Sequence, residues 1–171
     1  MKVYLIGYMA SGKSHLGKEL SELTGYPNID LDDIFEERYR ISVNDFFDKY
    51  DEISFRRLEQ ELLLETESLP NAVVSTGGGT PCFFRNMEFI KINGVSIYLR
   101  VNVRILAERL QNVKRKRPLL KKVEPGEMEM IVKKQLEERE PFYLQADHVI
   151  EAQKVDPEFI MKLIPDLPRL L

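Results

Sequence analysis

The chain has 171 residues, a hydrophobic fraction of 43%, a charged fraction of 31% and a net charge of −3. These values are typical of one soluble globular domain, and they exclude a global basic field that would attract nucleic acid. The single cysteine, Cys82, cannot form an internal disulfide, and we expect an inert thiol there. Because no apolar stretch approaches the roughly 18 residues that span a bilayer, we expect a cytoplasmic protein with no membrane partner. We also expect a monomer, and the net charge predicts no nucleic-acid partner.

The first predicted element is a buried strand, Val3–Ile6, which leads into a glycine-rich turn. That turn, Gly7–Ser14, fits the phosphate-loop pattern G-x-x-x-x-G-K-[ST]. Three leucines then recur at helical spacing, at Leu16, Leu20 and Leu23. In this arrangement, backbone N–H groups and the positive end of the helix converge on one spot that binds polyphosphate. Lys13 would reach the β- and γ-phosphates, and the Ser14 hydroxyl would ligate Mg²⁺.

Two carboxylates follow the second predicted strand, a short apolar stretch at Ile29. Asp30 and Asp32 are two residues apart and therefore share a face of an extended segment. Beside a polyphosphate they can bind hydrated Mg²⁺ and orient an acceptor hydroxyl. The alternative is a structural role, in which Asp32 caps a helix that starts at Asp33. The neighbouring phosphate loop favours the functional interpretation.

A long helix ending near Pro70 is predicted next, after a capping-box pattern at Ser42–Asp45. Its apolar stripe consists of Phe55, Leu58 and Leu62. Arg56 and Glu59 are three residues apart and can pair on one face of this helix. The spacing by itself favours a solvated salt bridge. The functional hypothesis is that Arg56 binds an anionic substrate while Glu59 holds the Arg56 guanidinium in orientation.

The third predicted strand, Ala72–Val74, runs into the glycines Gly77–Gly79. Three glycines at the end of a strand allow a small molecule to contact the backbone directly. Ser75 stands where many nucleotide-binding proteins carry an acidic residue, so Asp30 is the best replacement carboxylate for Mg²⁺.

Two further strands, Val95–Leu99 and Val149–Ile150, alternate with helical segments. One helix is predicted to end before Pro141, and its apolar stripe is Met128, Ile131, Val132 and Leu136. The last helix starts at Pro157 and is predicted to direct three side chains to the core, Phe159, Ile160 and Leu163. Short buried strands that alternate with helices predict a parallel sheet with right-handed crossovers.

The basic run Lys114–Lys122 lies between two predicted helices. Pro118 and Pro125-Gly126 predict a loop there. Such a run is usually a solvated loop, but beside a nucleotide it can close as a lid and supply an arginine to the transferring phosphate. Arg139 is a further cation that could serve the same site. The structural alternative is that it is only a favourable charge near a helix C-terminus.

Six segments, in chain order, resemble the shikimate kinase family over nearly the whole chain, from Lys2 to about Leu163. They are Gly7–Ser14, Asp30–Asp32, Phe55–Glu59, Gly77–Gly79, Arg117–Leu120, and Arg139 with Pro141–Tyr143. The resemblance implies one α/β domain over 1–171, a three-layer α/β/α P-loop fold with a five-stranded parallel sheet in the order 2-3-1-4-5. It implies a substrate-binding region at about 32–62 and a mobile lid at about 112–125. The implied activity is the ATP- and Mg²⁺-dependent phosphorylation of the shikimate 3-hydroxyl, in the pathway to chorismate and aromatic amino acids.

The resemblance also implies residue roles. Nucleotide binding is implied for Gly7, Ala10, Ser11, Gly12, Lys13, Ser14, His15, Arg109, Arg117 and Lys154. Substrate binding is implied for Asp32, Arg56, Glu59, Gly77, Gly78, Gly79 and Arg139. Three of these residues are implied to be catalytic: Lys13 contacts the transferring group, Asp32 orients the attacking hydroxyl, and Arg117 neutralises phosphate charge from the lid. Ser14 and Asp30 are implied to hold Mg²⁺.

Two features depart from the family pattern. The run Asn112–Arg117 is richer in lysine, and the family loop usually carries glycine where Ala10 stands. Alanine fits there if its φ is below zero, and we expect that geometry and little effect. Two alternative functions stay open. Another small-metabolite kinase, such as a gluconate kinase, would share Gly7–Ser14 but would not need Arg56 and Arg139 around a ring carboxylate. A non-catalytic nucleotide-binding regulator would keep the phosphate loop without an acceptor.

Overall fold

A parallel sheet forms the centre of the molecule, which a computed structural model describes over residues 1–112, 125–151, 153 and 155–170. Within these residues the sheet has five strands: β1 (Lys2–Ile6), β2 (Asn28–Asp30), β3 (Ala72–Ser75), β4 (Val95–Arg100) and β5 (His148–Glu151). Their spatial order is β2-β3-β1-β4-β5, and all four pairings are parallel. The predicted fold class and strand order are therefore confirmed.

Helices connect the strands and cover both faces of the sheet. In the described residues they are α1 (Lys13–Thr24), α2 (Leu31–Tyr39), α3 (Val43–Lys49), α4 (Glu52–Glu65), α5 (Asn86–Asn93), α6 (Val103–Asn112), α7 (Pro125–Tyr143) and α8 (Pro157–Leu163). The Ser42 half of the predicted capping box is present, since the Ser42 hydroxyl accepts the backbone N–H of Asp45 at 3.0 Å and caps α3. Among the described residues, none of the helices has the length and apolar character needed to traverse a lipid bilayer.

The side chains of β1 point alternately to the two faces of the sheet, and the core therefore has two layers. Val3 and Leu5 point to one face of the sheet, where they pack with residues of α1 and α8. Tyr4 and Ile6 point to the other face, into a larger cluster with residues of α2 to α7. Every side chain of β1 is buried, as expected of a central strand in a parallel sheet.

The register brings three strand ends to the same level. Ser75 at the end of β3 lies opposite Leu5 of β1 and opposite Asp30 of β2. The segments that follow these strands therefore meet at one edge of the sheet, which is where open α/β sheets bind their ligands. They are the phosphate loop, the acidic pair and the glycine run.

Three predicted boundaries or core positions were wrong. Pro125-Gly126, predicted as loop, form the first turn of α7, where a proline is tolerated because the first N–H groups of a helix have no intrahelical partner. The same helix continues through Pro141 to Tyr143, so this proline costs one hydrogen bond near the end without stopping the helix. Phe159, predicted to be core, is 50% exposed, because Ile160 takes the inward position of α8. The predicted lid at 112–125 lies outside the described residues except at its two ends.

Candidate active site

The phosphate loop wraps the N-terminus of α1. Gly12 is the N-cap of this helix and has a φ of 101°, a left-handed value that glycine adopts without strain. The Lys13 side chain is only 8% exposed, and its Nζ donates to the carbonyl oxygens of Gly7 and Tyr8, both at 2.9 Å. Ser14 is exposed at the start of the helix. A cation, a hydroxyl and a helix N-terminus therefore converge as the motif predicts.

The expected negative φ at Ala10 was wrong. Ala10 has a φ of 63°, a left-handed conformation that costs an alanine about 1–2 kcal/mol because its Cβ crowds the following carbonyl. A guanidinium N–H of Arg109 donates to the Ala10 carbonyl oxygen at 3.0 Å, and another donates to the carbonyl of Gln153. Arg109 thus connects the phosphate loop to the segment after β5, and it helps to hold Ala10 in its strained geometry.

Ala10→Gly should stabilise the protein by about 0.5–1 kcal/mol, because glycine removes the left-handed strain but adds entropy to the unfolded chain. Urea unfolding of both proteins measures this difference. Ala107→Gly is the matched control, since Ala107 lies inside the right-handed helix α6, where the same change should destabilise by about 1 kcal/mol or more. Equal destabilisation by both changes would mean that Ala10 carries no strain.

A cavity of about 400 Å³ opens in front of the phosphate loop. Six residues of the predicted nucleotide set line it: Ala10, Gly12, Lys13, Ser14, His15 and Arg109. Gly7 and Ser11 lie behind this wall, where Ser11 is 5% exposed. Arg117 and Lys154, the other two members of the set, lie outside the described residues. The structure therefore brings most of the predicted nucleotide set around one cavity.

The two aspartates after β2 have different local roles. Asp30 is the N-cap of α2, and its Oδ1 accepts the N–H of Asp32 at 3.1 Å. The alternative in which Asp32 caps a helix starting at Asp33 is therefore wrong, because the helix begins at Leu31 and Asp30 caps it. Both aspartates line the cavity of the phosphate loop.

A second cavity, of about 180 Å³, adjoins the first. All seven residues of the predicted substrate set line it: Asp32, Arg56, Glu59, Gly77, Gly78, Gly79 and Arg139. Three residues, Met9, Asp32 and Gly78, line both cavities. The two spaces therefore meet at the Asp32 carboxylate and the Gly78 backbone. We call the larger space the phosphate cavity and the smaller one the acceptor cavity.

Arg56 is held rigidly in the wall of the acceptor cavity. Arg56 and Glu59 are 6% and 3% exposed, so the solvated salt bridge favoured by their spacing was wrong. An Arg56 N–H donates to Glu59 at 2.8 Å, and others donate to Glu52 at 3.1 and 3.3 Å. The guanidinium also lies over the rings of Phe83 and Phe55, at 4.4 and 5.1 Å from their centroids. Burial opposes its charge, but the carboxylates outweigh this effect and raise the pKa of Arg56.

The acceptor cavity is also lined by Arg139, which is half-buried on α7. Its guanidinium lies 5.5 Å from the centroid of the Tyr8 ring, and it interacts with the hydroxyl of Tyr143. Both of these groups are uncharged. Arg139 therefore faces the acceptor cavity as a cation whose described neighbours are aromatic, in contrast to Arg56 with its two carboxylates.

Glycine is required at Gly77–Gly79 because side chains and the phosphate loop approach this backbone closely from both sides. A Cβ on Gly77 would collide with the Glu59 carboxylate, and one on Gly79 would collide with the Arg56 guanidinium. A Cβ on Gly78 would lie 3.1 Å from the backbone nitrogen of Met9, against the phosphate loop. Three consecutive glycines are needed because the ion pair and the phosphate loop pack directly on this backbone.

Sequence reasoning missed several residues that support these groups. The Thr80 hydroxyl donates to Glu59 at 2.5 Å, and the Phe83 ring covers Arg56. The family resemblance included Tyr143 without giving it a role. Tyr143 lies four residues after Arg139, so the helical period places both on one face. Cys82 beside them is half-buried, and burial raises the pKa of its thiol to about 11. That thiol is protonated at neutral pH, as expected of an inert cysteine.

Comparison with known proteins gives a consistent result. The model of the shikimate kinase family matches residues 9–167. A shikimate kinase of Parabacteroides distasonis is 42% identical over 154 residues, which are 90% of this chain and 89% of that protein. One from Azobacteroides pseudotrichonymphae is 41% identical over 168 residues, which are 97% of this chain and 99% of that protein.

Solved structures extend the comparison. The crystal structure of shikimate kinase from Bacteroides thetaiotaomicron has a TM-score of 0.91 and 36% identity, covering 96% of this chain and 98% of its own. Shikimate kinase from Acinetobacter baumannii in complex with shikimate has a TM-score of 0.85 and 31% identity, covering 97% and 91%. A gluconokinase from Sinorhizobium meliloti, at 17% identity and a TM-score of 0.58, shares the fold alone. The chain described here belongs to the shikimate kinase family.

Proposed function

We propose that this protein transfers the γ-phosphoryl group of ATP to the 3-hydroxyl of shikimate, giving shikimate 3-phosphate and ADP. The observation that carries the proposal is the junction of the two cavities at Asp32 and Gly78. A ring bound in the acceptor cavity would meet the phosphate cavity at a carboxylate. Arg56 and Arg139, which both line this cavity, would bind the ring carboxylate through charge-assisted hydrogen bonds. Gluconate has a carboxylate but no ring, so a gluconate kinase would not need this pair arranged around a ring carboxylate.

The chain's own groups perform two tasks in the proposed reaction. Lys13 and the backbone N–H groups at the start of α1 hold the phosphates and neutralise the charge that develops on the transferring group. Asp32 orients the acceptor hydroxyl and collects its proton as the bond to phosphorus forms. Phosphoryl transfer depends on positioning and charge neutralisation rather than on a strong base, so an ordinary carboxylate suffices.

A magnesium ion fits the residues of the phosphate cavity. Among the described residues, no group of three His, Cys, Asp or Glu side chains could enclose a metal on its own. Mg²⁺, however, usually keeps several waters and binds through one or two protein groups together with substrate phosphates. The exposed Ser14 hydroxyl and the Asp30 carboxylate on the cavity wall would supply those groups. When bound, the ion would neutralise phosphate charge and orient the nucleotide.

The remaining roles rest on the family resemblance. Arg117 would contribute from the lid, and Lys154 would lie near the nucleotide; both are outside the described residues. We also infer that the enzyme works as a monomer in the cytoplasm, in the pathway to chorismate and aromatic amino acids, without a nucleic-acid or membrane partner. The family membership and the single, unpaired cysteine support this setting.

The proposed function is tested by measuring the release of ADP from Mg·ATP with shikimate, and with gluconate as the control acceptor. We expect turnover with shikimate and none above background with gluconate. Turnover with gluconate alone would identify a different small-metabolite kinase. Tight ATP binding with turnover of neither acceptor would support the non-catalytic regulator instead.

A further inference from the structure

The side chain of Tyr143 lies behind two parts of the acceptor-cavity wall, Gly78 and Arg139. It is fully buried, at 0% exposure, and its hydroxyl donates to the carbonyl oxygen of Gly78. The same hydroxyl interacts with the guanidinium of Arg139, one turn earlier on α7, and with the thiol of Cys82. One buried oxygen atom therefore hydrogen-bonds to the backbone wall of the cavity and lies near its cationic wall.

The chemistry of a phenol suits both contacts at once. A tyrosine hydroxyl has one proton to donate and two lone pairs that accept. Its proton is committed to Gly78, so it faces Arg139 as an acceptor. Burial raises the pKa of Tyr143 well above its ordinary value. The hydroxyl therefore stays protonated, and remains a donor to Gly78, over the whole working pH range.

Gly78 has little space on its other side, where an added Cβ would lie 3.1 Å from the backbone nitrogen of Met9 in the phosphate loop. The Tyr143 hydroxyl therefore fixes the peptide that separates the phosphate cavity from the acceptor cavity. A second contact ties the same helix to the phosphate loop, because the Tyr8 hydroxyl donates to the side chain of Gln135 at 2.7 Å. Gln135, Arg139 and Tyr143 follow one another at spacings of four residues along one face of α7.

We propose that Tyr143 is a positioning residue for the acceptor: through one hydroxyl it sets the Gly78 peptide and the Arg139 guanidinium at a fixed separation. The inference rests on the proposed function, since it assigns the acceptor-binding groups to shikimate. Tyr143 itself does not touch the reacting atoms. Its loss should therefore weaken acceptor binding while leaving nucleotide binding nearly unchanged.

Tyr143→Phe removes the hydroxyl and keeps the ring, so it tests this role directly. We expect the KM for shikimate to rise about tenfold, the factor that corresponds to the loss of one good hydrogen bond. The KM for ATP should stay within about twofold, since Tyr143 does not line the phosphate cavity.

Tyr98→Phe is the matched control. Tyr98 is also buried, its ring lies 5.0 Å from that of Tyr143, and its hydroxyl donates to Glu140 at 3.2 Å. It lines neither the phosphate cavity nor the acceptor cavity. The control should lose a comparable buried hydrogen bond and keep the wild-type KM for shikimate. An equal rise of the KM for shikimate in both variants would mean that Tyr143 contributes only core packing, and it would overturn the inference.

A measurement on the wild-type protein covers the case in which the variant fails to fold. With tyrosine ¹³C-labelled at Cζ, a shikimate titration followed by NMR should shift the Tyr143 signal, because ligation of Arg139 changes the field at the hydroxyl. The Tyr4 hydroxyl is hydrogen-bonded to the Thr66 hydroxyl at 2.9 Å and lies outside both cavities, so the Tyr4 signal should not move. An unmoved Tyr143 signal in an enzyme that phosphorylates shikimate would refute the positioning role and leave the proposed function intact. An enzyme without shikimate turnover would refute the function itself.

Discussion

Lys13→Ala should lower kcat for shikimate phosphorylation by about a hundredfold or more. Loss of one preorganised donor to a developing charge typically costs about 10²–10³ in rate. Lys13 is better placed than an average donor, because its ammonium is buried and directed by the carbonyls of Gly7 and Tyr8. An ammonium held in this way needs little reorganisation when phosphate oxygens replace the loop carbonyls as its partners. Steady-state ADP release at saturating shikimate and ATP measures the effect.

The control for this change is Lys18→Ala, which removes an exposed lysine from the same helix α1, outside both cavities. That variant should keep wild-type kcat. A thermal unfolding curve of Lys13→Ala separates lost chemistry from a collapsed phosphate loop. A folded Lys13→Ala enzyme that retained about a tenth of the wild-type kcat or more would remove Lys13 from its catalytic role.

The parts of the fold that could be predicted are those specified by local pattern. The strand β1 is a short continuous apolar run and the helix α1 carries leucines at helical spacing, and the phosphate loop between them is a contiguous motif. Strand order followed from the family resemblance rather than from any local signal. Convergence of Asp30, the glycine run and the phosphate loop then follows from parallel strands that end at one edge.

What could not be predicted depends on packing between distant segments. The spacing of Arg56 and Glu59 is the same whether the pair is solvated or buried. The burial of this pair results from the glycine run and Phe83, which pack on α4 from about twenty residues further along the chain. The φ of Ala10 likewise depends on contacts such as the one from Arg109, which comes from α6. Phe159 was assigned to the core because the period of a short helix leaves its inward face ambiguous.

Arg56→Ala should abolish measurable shikimate binding and also destabilise the protein by about 3–5 kcal/mol. The stability loss follows because the Glu59 carboxylate, 3% exposed, would remain buried without its cation. Arg139→Ala should raise the KM for shikimate to a similar degree with a much smaller loss of stability, since its described partners are the uncharged groups of Tyr8 and Tyr143. Both variants should bind ATP almost as the wild type does.

The two consequences of losing Arg56 can be separated by removing the whole ion pair. A buried pair replaced by apolar side chains of similar volume is often neutral in stability. The double variant Arg56→Met with Glu59→Leu should therefore regain most of the unfolding free energy lost in Arg56→Ala, and it should still fail to bind shikimate. Urea unfolding and calorimetric titration with shikimate measure the two quantities independently. If the double variant bound shikimate, the carboxylate of the substrate would have to be recognised elsewhere, and Arg56 would be a structural arginine that happens to line the cavity.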